Sequence, residues 1–600
     1  MALFVVFTVN CKLEIIEPVY PFETIWGCVF MQFAYAFTNY GFGDLLEFAA
    51  VILLLKYLDD KKVKHDIFAG IIAAFLASIY LICVSFREYD EMTLITSTHF
   101  QKMQSVLYII GLSILIYEGI RILFWLLDNI RNNIHISDLS INRMDNSNKV
   151  WLYSGIAIFI CWIPWMIMDY PGSFCVDSID QLKQFFGTME WSTHHPPFST
   201  TLLGLLTWIG KIIGSTNLGI FLYVLLHTVS GAVIFSYEIK KIYEWGLSKS
   251  FIIISTCFFA LVPIWGCYVQ CVEKSFLYNE LISLFVVYIA DALLKKEISR
   301  KKAILMVISG IIACLIRNNG IYTIIPTLII LLFYFSKENR KHIIYSLCSI
   351  VIVYMLVTKG LYPALSIKSG SAAEMFSVPF MQTARYVYVY GDQVTDEEKT
   401  AIGGVLWYDA IAERYESQKD ISDSVKMLYS GDNSKLKPYF ITWIKMFFKH
   451  PNVYISAFIN NNYGYMAPVI GGVDVNIDYG EEEWLSSIGV RHIFKEMPIK
   501  LFNGIHTGMS TWPIFKYFTM GGTYTWLIII MMLYTIKRKI YDVMPVLIPS
   551  ILTILICFAG PSHVTLRYMA CVTAVIPMYF AYLIKGNEQV EESDSGTEKQ

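Results

Sequence analysis

Long apolar runs separated by short polar connectors dominate the chain. A bilayer core of roughly 30 Å is crossed by a helix of about 20 apolar residues. Fourteen runs approach this length: 22–38, 43–57, 66–86, 104–127, 149–168, 217–237, 250–270, 276–294, 302–317, 319–335, 342–362, 523–537, 543–559 and 565–584. The pattern predicts an all-α polytopic protein with about 13–14 transmembrane helices, multi-pass in the cell membrane.

Short basic clusters between the runs set the predicted sidedness. Lys and Arg are enriched in cytoplasmic loops, so we expect all six clusters on the cytoplasmic side. They are Lys61, Lys62 and Lys64; Arg131, Arg143 and Lys149; Lys240, Lys241 and Lys249; Lys295, Lys296, Arg300, Lys301 and Lys302; Lys337, Arg340 and Lys341; and Lys537, Arg538 and Lys539.

One further apolar stretch, FSTTLLGLLTWIGKII at 198–213, would disturb this arrangement if it crossed the membrane. Counting it as a span would put the cluster that contains Lys240 outside and invert every later basic loop. A helix lying along the outer interface, begun by Pro196 and Pro197, keeps all clusters inside. We therefore predict an interfacial helix here, within an extracytoplasmic first loop at 169–216.

The remaining polar segments complete the predicted domain organisation. Residues 363–522 are too many for a plain loop and predict an extracytoplasmic, α-rich mixed domain with amphipathic helices such as KPYFITWIKMFFKHP. Residues 1–148 form a predicted N-terminal module of about four transmembrane helices, and 149–362 the membrane core. Transmembrane helices follow at 523–585, and an acidic cytoplasmic tail at 586–600.

Composition excludes several classes of protein. The chain is 55% hydrophobic and only 16% charged, which excludes an ordinary soluble globule. Its net charge of -2 indicates no nucleic-acid partner. The twelve cysteines are scattered without CxxC spacing, so they indicate neither a zinc site nor a disulfide framework.

Acidic and imidazole groups crowd into the first outer loop. In DSIDQLKQFFG, helical spacing separates an apolar face from a polar one, made respectively of Ile179, Leu182 and Phe186, and of Asp177, Gln181 and Gln184. A helix lying on the membrane would hold Asp177 toward an aqueous crevice. The alternative is that Asp177 is an N-cap for this helix.

Further polar residues lie at the predicted outer ends of spans. The charged residues of the spans are expected at these ends. Glu273 and Lys274 follow one span, Arg317, Asn318 and Asn319 follow another, and Arg567 with Tyr568 begins the last. Each is also explained as a snorkelling side chain or a turn. Together, two arginines and a lysine opposite a carboxylate indicate an anion site, because arginine binds phosphate through a planar fork.

Two histidines, His194 and His195, precede Pro196 in the same loop. Imidazole can orient a phosphate or carry a proton near neutral pH. Either histidine is equally explained as a helix-capping residue.

The arrangement of these motifs resembles the GT-C superfamily of integral-membrane glycosyltransferases, which includes protein O-mannosyltransferases and the aminoarabinose transferase of lipid A. The resemblance covers roughly 149–584 and is carried by YPGSFCVDSIDQ, THHPPFSTTLL, LIRNNGIY, SVPFMQTARYV and RYMACVTAVIP. It is most specific at the first two motifs and suggests a bacterial branch. The first four spans look like an added module.

The resemblance implies a donor sugar on a polyprenyl phosphate and a first-loop carboxylate that deprotonates the acceptor. By position this role falls on Asp177, with Asp180 in reserve, supported by Gln181. Lys274, Arg317, Arg567, His194 and His195 are then expected at the donor phosphate, with Asn318 and Tyr568 in support. The acceptor would be an extracytoplasmic polymer, lipid or protein; no cofactor or metal ligand is implied, and metal dependence is left open.

The sequence departs from the superfamily pattern after the 250–270 span. Lys-Asp is expected there, but the chain reads Glu273, Lys274 and Ser275. Either Glu273 replaces the second acid or this part of the site is degraded.

Two other classes remain open. A secondary transporter also has many helices, but broken helices and ionisable groups near the midplane are expected of it, and no internal repeat is evident. A non-catalytic lipid-binding protein of envelope assembly would retain the fold and lose only a few groups.

Overall fold

The computed structural model describes residues 1–9, 13–15, 42–61, 63–133, 141–415, 421–471, 482–493, 515–560 and 566–585, with isolated positions at 24, 26, 27, 30, 504 and 508. Helices form nearly all the regular structure of these residues, whose strand pairing is limited to isolated bridges. The predicted all-α polytopic membrane fold is confirmed. Most of the predicted run 22–38 and the whole predicted tail 586–600 lie outside the described residues.

The N-terminal part of the chain contains two long helices among the first five. The helices are α1 (Ala2–Val9), α2 (Phe42–Asp60), α3 (Ile67–Tyr89), α4 (Thr93–Thr96) and α5 (His99–Asn133). Helix α3 begins where the Asp66 carboxylate accepts the Phe68 N–H at 3.1 Å, and it ends at Asp90 in the left-handed conformation. Side-chain capping of this kind satisfies backbone donors that the first turn leaves free.

The central part contains the helices that carry the predicted chemistry. They are α6 (Ile141–Met168), α7 (Val176–Phe185), α8 (Pro197–Ile213), α9 (Thr216–Glu244), α10 (Lys249–Leu261), α11 (Pro263–Val269), α12 (Lys274–Lys295), α13 (Arg300–Ile316), α14 (Gly320–Leu331) and α15 (Lys337–Met355), which continues through a π-helical turn (Leu356–Leu361) into α16 (Tyr362–Ala364). Helix α12 is the centre of this part, since most of its residues are buried.

The C-terminal part begins with a group of shorter helices and ends with apolar ones. The shorter group is α17 (Ser377–Tyr390), α18 (Asp396–Gly403), α19 (Tyr408–Arg414), α20 (Ile421–Lys426), α21 (Leu436–Lys449), α22 (Pro451–Met466) and α23 (Glu482–Ser487). Then come α24 (Gly521–Lys537), α25 (Met544–Phe558), α26 (Ala570–Ala574) and α27 (Ile576–Lys585). Helices α17 to α21 share a hydrophobic core of their own, which we call the outer domain.

Seven helices among the described residues are long and apolar enough to cross a bilayer: α3, α5, α6, α9, α12, the Lys337–Ala364 stretch and the Tyr541–Phe558 stretch. Helices α10 and α11 make an eighth if the pair is one span; they are bent by 46° at Val262, where Pro263 interrupts the hydrogen bonding. The predicted runs 302–317, 319–335 and 523–537 are helices of 17, 12 and 17 residues, and 565–584 is divided into still shorter ones.

Buried carboxyl groups lie inside spans, among them Glu118 of α5, which pairs with Arg121, so the expectation that charged residues lie only at span ends is wrong. Glu238 in α9 and Glu280 in α12 are fully buried. Ser230 of α9 donates a hydrogen bond to Glu280, which links the two helices. Single carboxyl groups in apolar segments barely change the average hydropathy of a span, which hides them in the sequence pattern.

The described residues of the six basic clusters lie on one face of the molecule, which we call the basic face. Lys537 pairs with Asp66 next to the first cluster, and Arg538 pairs with Asp128 next to the second. Lys240 Nζ donates to Asn148 Oδ1 at 2.6 Å, which joins the second and third clusters.

The remaining clusters join the basic face through a buried carboxylate and an asparagine. Lys241, Lys295 and Lys302 converge on Asp291 with N–O distances of 3.8, 3.2 and 2.6 Å. Asn339, within the fifth cluster, donates to the Lys296 carbonyl at 2.9 Å. Loops on one side of a membrane would be brought together in this way.

The contact between Lys240 and Asn148 also fixes how many times the intervening chain crosses. Helix α6 leaves the basic face and α9 returns to it, so an even number of crossings separates Asn148 from Lys240. Helix α8 between them is an apolar helix of 17 residues that is not long enough to count with the spans, and its position along the outer interface stays a prediction. By the same parity, the residues before α12 and after α25 lie on the opposite face, which we call the outer face; Arg317, which follows α13, lies there too because it contacts Ser275 at the start of α12.

Helices α8 and α9 form a hairpin with direct backbone contact. A Cβ atom on Gly219 would lie 2.6 Å from the Leu206 carbonyl oxygen and 2.7 Å from the Thr207 Cα. A Cβ atom on Gly210 would lie 2.3 Å from the Gly219 nitrogen. Small residues at helix contacts in membranes permit this close approach.

The N-terminal helices are fastened to the outer domain and to α22. Arg385 of α17, only 3% exposed in its side chain, donates to Asp90 Oδ1 at 2.9 Å and to Tyr415 Oη at 2.7 Å. Arg87 near the end of α3 donates to the Val469 carbonyl, which follows α22. Helices α3, α5 and α22 also share one hydrophobic cluster.

A topology reporter tests the sidedness directly. Fused after Ser215, in the α8–α9 turn, it should be extracytoplasmic; fused after Lys241, it should be cytoplasmic, because α9 separates the two positions. Alkaline phosphatase and fluorescent-protein fusions in living cells report the two sides. A cytoplasmic signal at Ser215 would contradict the prediction and remove Asp177 from the extracytoplasmic side.

Candidate active site

The segment that follows α6 is pinned beside the end of α11. Ser173 N–H donates to the Gln270 carbonyl at 3.0 Å, and Val272 N–H donates to the Ser173 carbonyl at 2.8 Å. Gly172 adopts φ +144°, and a Cβ atom there would lie 2.7 Å from Val272. This short pairing brings the first turn of α7 against the first turn of α12.

The N-cap of α7 is Cys175, so the interpretation of Asp177 as the N-cap is wrong. The Cys175 N–H donates to Ser178 Oγ at 3.0 Å, within the first turn. Asp177 is the second residue of the helix, and its side chain is free to bond elsewhere. A carboxylate in the first turn also interacts favourably with the helix dipole.

Asp177 bonds directly to Lys274, the first residue of α12. Lys274 Nζ lies 2.6 Å from Asp177 Oδ2, with side-chain exposures of 8% for the lysine and 38% for the aspartate. The Lys274 ammonium, aided by His195 and Arg567, holds the pKa of Asp177 well below its usual range despite the opposing effect of burial. The carboxylate is therefore ionised, accessible from one side, and tied to a cation.

Glu273 is the N-cap of α12. Its Oε2 accepts the Ser275 N–H at 2.6 Å, and its Oε1 accepts the Ser275 hydroxyl at 2.8 Å. Both oxygens thus bond to one residue, and the Glu273 side chain is buried. Glu273, the second predicted acid, is therefore next to Lys274, but its carboxylate caps the first turn of α12.

Two arginines flank one tyrosine beside this cap. Arg317 Nη1 donates to Ser275 Oγ at 3.3 Å, and its guanidinium lies 4.2 Å from the centroid of the Tyr568 ring. The Arg567 guanidinium lies 5.0 Å from the same centroid, and its Nη2 is 3.1 Å from Tyr568 Oη. Stacking on an aromatic ring orients guanidinium groups while leaving their donors available.

Asn279, one turn and a half into α12, fixes the segment that carries Arg567. Its Nδ2 donates to the Arg567 carbonyl at 2.8 Å, and its Oδ1 accepts the Cys571 N–H at 3.1 Å. Asn279 was not predicted as a site residue, and Ser275 was named only as part of the departure from the superfamily pattern. The available signal was an asparagine inside the predicted run 276–294, because an amide placed within a span must find hydrogen-bond partners there.

The histidine pair borders the site from the first loop. His195 is buried, its Nε2 lies 3.7 Å from Asp180 Oδ2, and its ring centroid is 4.6 Å from that of exposed His194. Asn318 Nδ2 donates to the Thr193 carbonyl at 3.0 Å, which holds this loop against the end of α13. The predicted reserve acid Asp180 thus faces a histidine rather than the arginines.

Gln181, predicted as a supporting residue, bonds to the start of the next helix. Its Nε2 donates to Ser199 Oγ at 2.8 Å and to Thr200 Oγ1 at 3.2 Å. These bonds join α7 to the start of α8, so Gln181 positions the helix that carries Asp177 and does not itself reach the cations.

The chain leading to the outer domain passes along the same loop. Thr193 N–H donates to the Lys368 carbonyl at 2.8 Å, and Gly370 N–H donates to Thr193 Oγ1 at 2.8 Å. A Cβ atom on Gly370 would lie 2.9 Å from the His194 nitrogen. The outer domain therefore begins directly beside the histidine pair.

The assembled groups are suited to binding an anion and accepting a proton. Three cations come from three different span ends, and an ionised carboxylate stands among them. Charge-assisted bonds of this kind recognise phosphate and sulfate oxyanions. Among the described residues, no group of three His, Cys, Asp or Glu side chains is placed to hold a metal ion.

Comparison with known proteins gives a family and no activity. No curated protein and no solved structure matches the chain. The model of a family of unknown function, DUF6020, matches residues 188–598. The matched part includes the histidine pair and the residues at the three span ends, whereas Asp177, Asp180 and Gln181 precede it. Because the match covers more than half of the sequence, the chain belongs to the DUF6020 family.

Proposed function

We propose that the protein is a membrane glycosyltransferase that moves a sugar from a polyprenyl-phosphate donor to an extracytoplasmic acceptor, which is a cell-wall polymer, a lipid or a protein. The observation that carries this proposal is the 2.6 Å ion pair between Asp177 and Lys274 on the outer face. Two arginines that share Tyr568 stand beside it. The resemblance of the sequence motifs to the GT-C superfamily supports the same assignment.

The cations would serve the leaving group. A sugar on a lipid phosphate carries that phosphate at the headgroup level, close to the ends of spans. Arg317, Arg567 and Lys274 would stabilise the charge that grows on the phosphate as the sugar leaves, which is the effect of preorganised electrostatic groups. The guanidinium groups are already oriented by Tyr568 and need little reorganisation.

Asp177 would act as the general base. The acceptor hydroxyl oxygen attacks the anomeric carbon, the bond from that carbon to the phosphate oxygen breaks, and its electron pair leaves with the phosphate. The acceptor proton passes to Asp177. A single displacement of this kind inverts the anomeric carbon.

The ion pair gives this base a substrate-dependent strength. Without donor, Lys274 lowers the pKa of Asp177 and makes it a weak base. A donor phosphate would compete for the Lys274 ammonium, so donor binding would free the carboxylate and raise its proton affinity. Base catalysis contributes roughly 10²–10⁴-fold to a rate, and in this scheme it is switched on only when donor is present.

The proposal is tested with purified protein in nanodiscs, a radiolabelled polyprenyl-phosphate sugar and cell-envelope fractions. Transfer of label from the polyprenyl phosphate to a product that is chemically distinct from the donor is expected. A panel of hexose and pentose donors identifies the sugar, and chromatography of the product identifies the acceptor class. Binding of donor without transfer to any fraction would contradict the transferase and favour a lipid-binding protein of envelope assembly.

Arginine geometry gives a second test. Replacing Arg567 or Arg317 by Ala should weaken donor binding, and replacement by Lys should not restore it, because an ammonium cannot reproduce the planar fork or its stacking on Tyr568. Exposed Arg414 in the outer domain, replaced by Ala, is the control. Parent-like binding of polyprenyl phosphate by both Ala variants would show that the arginines only anchor the spans.

A secondary transporter is the second candidate, because two features expected of that class are present: a bent helix pair and carboxyl groups buried inside spans. Helices α10 and α11 form a bent pair, a feature of transporter binding sites. Directly after α11, the Gln270 side chain is buried with neither amide atom bonded. Counterflow of labelled solutes in proteoliposomes, unaffected by Asp177→Asn, would favour the transporter over the transferase.

A further inference from the structure

The exposed face of α21 in the outer domain is apolar. The helix packs into the domain through Tyr439 and Met446, which are buried. On its other side Ile441, Ile444 and Phe448 are 48%, 49% and 76% exposed. An amphipathic helix whose second face meets only water carries polar residues there; α21 instead has apolar residues on both sides.

Lysines border this exposed apolar stripe. Lys437 and Lys445 are exposed and, at helical spacing, fall on the same side as the stripe. Neither has a carboxylate within ion-pair distance among the described residues, whereas Lys449 pairs with Glu398 at 2.5 Å. Helix α21 contains no Asp or Glu, so the charge of its exposed face is wholly positive.

We propose that this face, made of Lys437, Ile441, Ile444, Lys445 and Phe448, lies in the interfacial layer of the outer leaflet and binds anionic lipid headgroups. Apolar residues flanked by lysines are the composition of helices that lie in the plane of a membrane surface. The lysine stems can cover apolar surface while their ammonium groups reach the headgroup phosphates. The inference does not depend on transferase activity.

The chain connection keeps α21 close to the membrane spans. A single residue, His450, separates α21 from α22. Ile459 and Tyr463 of α22 pack in one cluster with Leu81 and Val84 of α3. Helix α22, which packs on the outer half of the α3 span, thus directly follows α21. This connection keeps the exposed face of α21 near the bilayer surface.

Lipid quenching in nanodiscs tests the contact on the full-length protein. Bimane is attached to Ile444→Cys and Phe448→Cys, and to Asp409→Cys, whose side chain is 79% exposed in the same domain. Labelling of the parent at its native cysteines is the background. Brominated acyl chains should remove roughly half or more of the signal at 444 and 448 but little at 409, because the face is buried at the acyl boundary.

A charge reversal tests the headgroup part. Lys437→Glu combined with Lys445→Glu should reduce quenching at 448 in phosphatidylglycerol discs by about half and leave it unchanged in phosphatidylcholine discs, because only the first surface is anionic. Equal quenching of the reversed and parent proteins in both lipids would overturn anionic recognition. Quenching at 444 and 448 no greater than at 409 would overturn the docking itself, and crosslinking of two copies through 444 would assign the face to a dimer contact instead.

Discussion

Asp177→Asn should abolish sugar transfer while donor binding is retained or strengthened. The amide keeps the shape of the side chain and can still accept a hydrogen bond from Lys274 Nζ, which lies 2.6 Å from Asp177 Oδ2. It cannot accept a proton at neutral pH, so the contribution of the base, roughly 10²–10⁴-fold, is lost. Removal of one negative charge beside the phosphate site favours the anionic donor.

The matched control is Asp180→Asn. Asp180 lies on the same helix but faces His195 at 3.7 Å instead of Lys274, so we expect a milder loss of transfer. The Lys274 side chain is only 8% exposed, so replacing its carboxylate partner by an amide should lower the free energy of unfolding of the Asp177 variant by about 1–3 kcal/mol. Single-turnover transfer and donor affinity are measured on the same preparations.

Separate measurement of binding and chemistry distinguishes a base from a structural residue. A structural defect at Asp177 would weaken donor binding and lower the melting temperature together. If the Asp177→Asn variant transfers sugar at nearly the parental rate, Asp177 is not the base, and Glu273 becomes the next candidate.

Gly219→Leu should destabilise the α7–α9 unit by about 3 kcal/mol or more, at the upper end of what overpacking costs. The new side chain would start 2.6 Å from a backbone oxygen of α8 and 2.7 Å from a backbone carbon, neither of which can move without moving the helix. Displacement of α8 would also break the bonds from Gln181 to Ser199 and Thr200. Loss of folded monomer on size-exclusion chromatography and a lower melting temperature are the measurements.

Gly70→Leu in α3 is the control for this change. A Cβ atom on Gly70 would meet nothing within 4 Å, so the same chemical substitution within a span should leave the protein folded. Equal melting temperatures for Gly219→Leu and the parent would show that α8 and α9 are not held in backbone contact.

The sequence predicts the membrane fold and the grouping of the basic clusters on one face. Both predictions use patterns that repeat along the whole chain and do not depend on individual contacts. Apolar runs predict spans, and loop lysines predict sidedness; the contacts of Asp291 and Asn148 then show the clusters sharing one face. Once the side of the basic clusters is assigned, counting the predicted spans between each cluster and Lys274, Arg317 or Arg567 places these three residues on the other face. This step needs no knowledge of how the helices pack.

Pairwise contacts could not be predicted in the same way. Asp177 and Lys274 are separated by 97 positions, and their distance depends on the short pairing of Ser173 with Gln270 and Val272. The cap of α7 was also hidden, because residue preference favours Asp over Cys at an N-cap, whereas the Ser178 side chain fixes Cys175 in that role.

The bond from Arg87 to Val469 has a consequence for biosynthesis. Its partners are 382 residues apart, and at roughly 5–20 residues per second the ribosome needs about 20 to 75 s to make the second after the first. For most of that interval α3 is inserted while Tyr463, which will pack against it, has not been translated. The early helices must therefore wait in the bilayer as an incomplete bundle, exposed to membrane chaperones and quality-control proteases until α22 arrives.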